Sequence, residues 1–148
     1  MFRRFAVVAL GWLPLTSSAA EALPERFDHV TVAAAKTSIY LGTVTMTMPA
    51  FVRKNGTYAS SYAAKVFPFF FSTEQGRVVI DLPDDVLVRL EKGETISFHG
   101  HGVRDDGAER RLEGTATPTD ATSGKLKVRV FVSKRIELIF NTTYRFLK

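Results

Sequence analysis

Two histidines stand one residue apart in His99-Gly100-His101, and no other arrangement in the chain looks as much like a metal site. On a β-strand, positions i and i+2 share a face. A hairpin folded about Asp105-Asp106-Gly107 sets Glu113 opposite His99. Two imidazoles and a carboxylate suit zinc with one coordination position left open. Against this, both histidines carry odd numbers, which the strand pattern turns towards solvent, and Arg111 falls opposite His101. No outer partner that would orient the imidazoles can be picked out. The expectation is a solvated strand face, with no metal and no cofactor. Catalytic groups are otherwise scarce. There is no cysteine nucleophile, no serine in a Gly-x-Ser-x-Gly setting and no phosphate loop, so no enzyme is expected.

The second candidate is apolar. Phe67-Pro68-Phe69-Phe70-Phe71 is the most hydrophobic run outside the first residues, and it suits a pocket wall, a membrane-facing patch or, on balance, a packed core. A ligand pocket is expected among Tyr40, Met46, Met48, Tyr58, Tyr62, Phe67, Phe69 and Phe71, since methionine and tyrosine adapt to ligands as well as filling cores. The third candidate is basic. Lys125, Lys127, Arg129, Lys134 and Arg135 can meet an anionic envelope surface, although charged edges also simply resist strand-to-strand aggregation. No nucleic-acid partner is expected.

These residues are positioned by strands. Leu126, Val128, Val130 and Val132 alternate with Lys125, Lys127, Arg129 and Phe131, and Ile136 to Phe146 alternate in the same way. Apolar must pair with apolar across a hairpin, so Val132 opposes Ile136 and the loop has an odd length. Asp105-Asp106-Gly107 similarly pairs Gly100 with Leu112, Phe98 with Gly114 and Ile96 with Ala116. Thr122-Ser123-Gly124 is read as another such loop, pairing Pro118 with Val128 and Ala116 with Val130. From residue 95 onward, even-numbered side chains are expected to face in. Large inward residues oppose small ones, which predicts a filled interior in this half and places any pocket in the other.

Earlier in the chain, Phe27 to Ala33 and Ile39 to Met48 read as strands, the latter bent or ended by Pro49. Lys54-Asn55-Gly56 is preferred as a three-residue loop, pairing Val52 with Tyr58, Met48 with Tyr62 and Val44 with Val66. Glu74-Gln75-Gly76 is read as a loop joining Phe69–Ser72 to Val78–Leu82. Pro83 to Gly93 has early acids, spaced apolar residues, a late base and a closing glycine, which predicts a short helix near 83–92. The fold class is therefore all-β: an antiparallel meander of about eight strands, closed as a small barrel or folded as a sandwich.

The chain has 148 residues, enough for one domain with a real core, and its apolar content of 45% is globular. Arg3 and Arg4, the apolar run Phe5–Leu15 and the small residues before Ala22 read as a signal peptide over 1–22, cleaved after Ala20 or Ala22. That leaves a domain over 23–148, exported to the periplasm or cell exterior. With no cysteine, such a domain depends on its core alone. The layout of leader, meandering strands and short helix resembles the periplasmic lipid-binding barrels of the polyisoprenoid-binding and lipocalin-like type. The likeness is one of architecture and brings no motif residues with it. The expected function is a soluble, non-catalytic binding module for an apolar or amphiphilic small molecule such as a lipid, or for an envelope surface. Two alternatives stand beside it: an envelope interaction protein with no pocket, and an eight-stranded outer-membrane barrel whose even-numbered face meets lipid.

Overall fold

The computed structural model describes residues 24–69 and 73–147, so the expected leader and Phe71 lie outside the described residues. A 3₁₀ turn at Glu25–Phe27 precedes β1 (His29–Val32), β2 (Ala35–Ile39), β3 (Gly42–Thr47), β4 (Phe51–Lys54), β5 (Thr57–Phe67) and β6 (Glu74–Asp81). Helix α1 (Asp84–Glu91) leads to β7 (Ile96–Arg104), β8 (Glu109–Pro118), β9 (Ser123–Phe131) and β10 (Glu137–Phe146). β1 and β2 together occupy one position in the wall, and so do β3 and β4. The result is an eight-stranded, closed, antiparallel up-and-down barrel, in which β1 pairs with both β4 and β10.

The period-two rule past the helix holds. Ile96, Phe98, Leu112, Ala116, Val130, Phe140, Tyr144 and Phe146 are buried, while Lys125, Lys127, Arg129 and Asn141 are exposed. Along β9 the charges of Lys125, Lys127 and Arg129 take alternate outward positions, while the even-numbered face points inward. Among the described residues no helix is long and apolar enough to cross a membrane. The last hairpin pairs Val130 with Leu138 and Val128 with Phe140 about Ser133-Lys134-Arg135. The β7–β8 hairpin pairs Phe98 with Gly114 and Gly100 with Leu112. Both registers are those the sequence predicts.

Other expectations are corrected. β8 and β9 pair Pro118 with Gly124 and Ala116 with Leu126, four residues from the predicted register. Asp120, not Gly124, makes that turn, its carboxylate accepting the backbone N–H groups of Thr122 and Ser123 at 2.8 Å each. Glu74-Gln75-Gly76 is no loop but the start of β6, where Gly76 opposes Arg104. A Cβ there would fall 2.1 Å from the Val103 carbonyl oxygen, so the glycine serves close strand approach. Ile39 to Met48 is not one strand, because the chain reverses at Tyr40-Leu41 and Ile39 pairs with Gly42. Phe27 belongs to the 3₁₀ turn, and β1 starts only at His29.

The Asn55-Gly56 turn contains two residues, with Lys54 opposite Thr57 and positive φ at both Asn55 (52°) and Gly56 (78°). Beyond Pro49 the pairing slips by one, so Val44 does meet Val66. The preferred three-residue reading is thus wrong at the turn and right past the bulge. The bulge reverses the inward parity: Val44 and Phe51 are both buried, one with an even number and one with an odd. Ser60 donates to the Pro49 carbonyl at 2.9 Å, satisfying a backbone group that the bulge removes from the ladder.

One end of the barrel is floored. Pro83 caps the start of α1, Asp84 and Asp85 in its first turn complement the helix dipole, and the helix is closed where Gly93 takes φ 87° and Glu94 N–H reaches the Arg89 carbonyl. Leu87 and Leu90, three residues apart, turn inward and are buried with Phe27, whose ring meets Phe146 edge-on at 4.9 Å. Arg26 pairs with Glu91, and Arg53 reaches Asp84 at 2.6 Å and the Leu82 carbonyl at 3.0 Å. These contacts tie the floor to the wall.

Candidate functional site

Above this floor the interior is a cavity of about 780 Å³. Its wall is overwhelmingly apolar and draws on both halves of the chain, from Val44 and Met46 to Val128 and Phe140. The expectation of a filled C-terminal half is therefore overturned. The reason lies in how large residues meet small ones. The Phe98 ring lies across Gly114 so closely that a Cβ there would be 2.2 Å from Phe98 Cζ. Tyr144 lies across Gly124 in the same way, and Ile80 across Gly100. Large opposite small does not fill the barrel here. It lets bulky side chains fold sideways against the wall and leaves the axis open.

One polar station interrupts the apolar wall. Tyr62 donates its hydroxyl to Glu74 Oε1 at 2.7 Å. Arg110 Nη2 reaches Glu74 Oε2 at 3.3 Å, and Nη1 lies 3.4 Å from the Val132 carbonyl. Arg104, itself paired with solvent-facing Asp106, approaches the same carboxylate at 3.6 Å. Burial, then the bond to Glu74, pushes the Tyr62 hydroxyl above the usual tyrosine range. Burial likewise raises Tyr58, whose hydroxyl donates to the Phe27 carbonyl, and pushes Tyr144 up to about 12. All three are therefore neutral phenols at any physiological pH. Among the described residues, Glu74 and Arg110 are the charged groups on the inner wall away from the rim.

The cavity reaches the surface at the end opposite the floor, where exposed Tyr40, Leu41, Arg135 and Ile136 border it. A seam runs down from this mouth. β10 pairs with β1 over Tyr144–Phe146, and Ala33 N–H donates to the Thr143 carbonyl at 3.0 Å. Above that point, no ladder joins β2 to β10 among the described residues. Leu138 and Ile39 flank the seam and also line the cavity.

Of the expected ligand-binding residues, Met46, Met48, Tyr58 and Tyr62 lie on the cavity wall, and Tyr40 stands at its rim. Phe67 is not core. It is exposed, next to a cis bond to Pro68, and it does not line the cavity. Phe69 is half-buried and also away from the wall. His99 lies between Asp81 and Glu113 on the outside of the barrel, His101 faces Arg111, and Glu113 meets Arg111 at 3.6 Å. Among the described residues, no group of three or more histidine or carboxylate side chains is placed to hold a metal ion. The basic set divides in two. Lys125, Lys127 and Arg129 face outward along β9, whereas Lys134 and Arg135 stand at the mouth. Sequence reasoning missed Glu74 and Arg110. The even-number rule itself places Arg110 inside, and an arginine at an inward position was the available signal.

Compared with protein-family models, curated proteins and solved structures, the chain matches none of them.

Proposed function

We propose that this protein is an exported, non-catalytic carrier that holds one amphiphilic small molecule. The apolar chain of the ligand occupies the barrel, and its polar head sits against Tyr62, Glu74 and Arg110 near the mouth. The observation that carries the reading is an apolar cavity of about 780 Å³ with a charged and phenolic station in its wall. That volume falls within the roughly 300–1,000 Å³ usual for small-molecule sites, which are mostly apolar with a few placed polar groups. The station offers donors and acceptors together, so it suits a carboxylate, phosphate or hydroxyl head. A charged pair on an apolar wall is costly unless its remaining hydrogen-bonding capacity is used, and a ligand head uses it.

Native mass spectrometry of the protein from its own host is expected to show an added mass that organic solvent extracts as an amphiphile. Titration of the delipidated protein with palmitate is expected to give one-to-one binding, weakened about tenfold or more in Arg110→Met. A clean apo mass, together with no uptake of palmitate or of a long-chain alcohol, would sink the reading.

A further inference from the structure

The rim of the mouth is uneven in chemistry. On the seam side, the β2–β3 turn raises Tyr40 and Leu41, which are 99% and 64% exposed, and Ile136 after the β9–β10 loop is 53% exposed. Lys134 and Arg135 stand beside Ile136, both exposed, and neither has an ion-pair partner among the described residues. The neighbouring acid, Glu137, is already held by Arg129 at 2.6 Å. Across the mouth, the β7–β8 loop carries exposed Asp105 and Asp106, and exposed Glu109 opens β8 beside them. Among the described residues, the exposed apolar tips Tyr40, Leu41 and Ile136 and the cations Lys134 and Arg135 therefore gather at the top of the unladdered seam.

We propose that this seam-side rim is a docking surface for an anionic lipid bilayer, with Tyr40, Leu41 and Ile136 entering the headgroup boundary while Lys134 and Arg135 meet lipid phosphates. Three observations favour a bilayer as the occupant. Tyrosine and aliphatic side chains at a loop tip match the headgroup–acyl boundary, where one end of the ring is dry and the other wet. The unpaired cations complement anionic headgroups, whose attraction reaches only about a Debye length, so it acts on rim residues in particular. Tyr40, Leu41, Arg135 and Ile136 also border the cavity, so an amphiphile passing between bilayer and barrel keeps its chain out of water. The contact differs from the wall-wide basic face that the sequence suggests, because Lys125 and Lys127 lie on β9 away from the mouth.

The test is co-sedimentation of the purified protein with phosphatidylcholine vesicles, with and without phosphatidylglycerol. Binding is expected to need the anionic lipid and to fall with added salt. Lys134→Glu should weaken it about fivefold or more, and Lys134→Gln/Arg135→Gln by about fivefold per charge removed. Tyr40→Ser/Leu41→Ser should weaken it about tenfold or more. Lys125→Gln/Lys127→Gln should change it by less than about twofold. Equal loss in the rim and wall variants, or equal binding to both vesicle types, overturns the proposal. Palmitate titration in solution separates it from the carrier reading. Lys134 does not line the cavity, so Lys134→Glu should take up palmitate like the parent. Palmitate uptake without vesicle binding sinks the docking surface alone, and vesicle binding by a protein with a clean apo mass that takes up neither palmitate nor a long-chain alcohol sinks the carrier alone.

Discussion

The ring of Phe98 occupies the space that a side chain on Gly114 would need, with Cζ 2.2 Å from the ideal Cβ position. The two residues pair directly across β7 and β8, so neither can move without shifting a ladder. Gly114→Ala should therefore push the ring towards the barrel axis. Overpacking of this kind costs about 1–3 kcal/mol. The expected result is a lowered urea midpoint together with weaker palmitate binding, because the displaced ring takes cavity volume. Unchanged stability and unchanged uptake would mean that the ring does not depend on the glycine.

The floor makes a different demand. Leu87 is fully buried at the centre of the contact between α1 and the barrel. Leu87→Ala removes that contact where the surroundings are already tied by Arg53 and Asp84, which limits their collapse into the space. A loss of about 2–5 kcal/mol is expected by denaturant unfolding. A loss well under 1 kcal/mol would show that the helix is a surface attachment rather than a floor.

Much of the wall was legible because alternation is a local signal that tertiary packing enforces everywhere. Leu138 opposite Val130, and Gly100 opposite Leu112, follow from that signal alone. The β8–β9 register failed because the error was four residues. An even shift keeps every side chain on its own face, so parity could not expose it. The glycines misled in a second way. Gly76 and Gly124 look like turn residues, yet both seat a neighbouring strand or ring, and a glycine left bare for approach is indistinguishable in sequence from one used for a turn. Neither central position of the Tyr40-Leu41 reversal is a turn residue, and Gly42 reads as part of the strand, which hid the hairpin and with it the rim of the mouth. Cavity volume was illegible for a related reason: sequence pairs Phe98 with Gly114 but does not say whether the ring projects or lies flat.

The β8–β9 turn gives a pH prediction. Hydrogen bonds from the Thr122 backbone N–H and the Ser123 hydroxyl hold the Asp120 carboxyl below its ordinary 3.8. The fold thus prefers the charged form. The contribution is present above the unfolded value of 3.8 and is lost as pH falls through the lowered folded value. Asp120→Ala should lower the thermal midpoint at neutral pH, and the gap from the parent should close in strong acid. A gap that stays constant from neutral to acid pH would show that the turn does not rely on the charge.

The seam makes the sharpest claim about dynamics. The Thr143 carbonyl accepts from Ala33 N–H, so odd-numbered backbone groups of β10 point towards β1 and β2, while even-numbered ones point towards β9. Arg145 opposes Thr31 in the ladder and should be protected from exchange. Glu137, Ile139 and Asn141 point the same way but face β2, to which no ladder runs among the described residues. Leu138 and Phe140, one residue along, pair with β9 and should be slow. Amide hydrogen exchange followed by NMR is therefore expected to alternate along one strand. The amides of Glu137, Ile139 and Asn141 should exchange about tenfold or more faster than those of Leu138, Phe140 and Arg145. Binding of an amphiphile that bridges Ile39 and Leu138 should slow the odd set selectively, because it removes water from the seam without adding a ladder. Uniform protection along β10 in the free protein would mean that the two strands are hydrogen-bonded in solution and that the barrel opens only at its mouth.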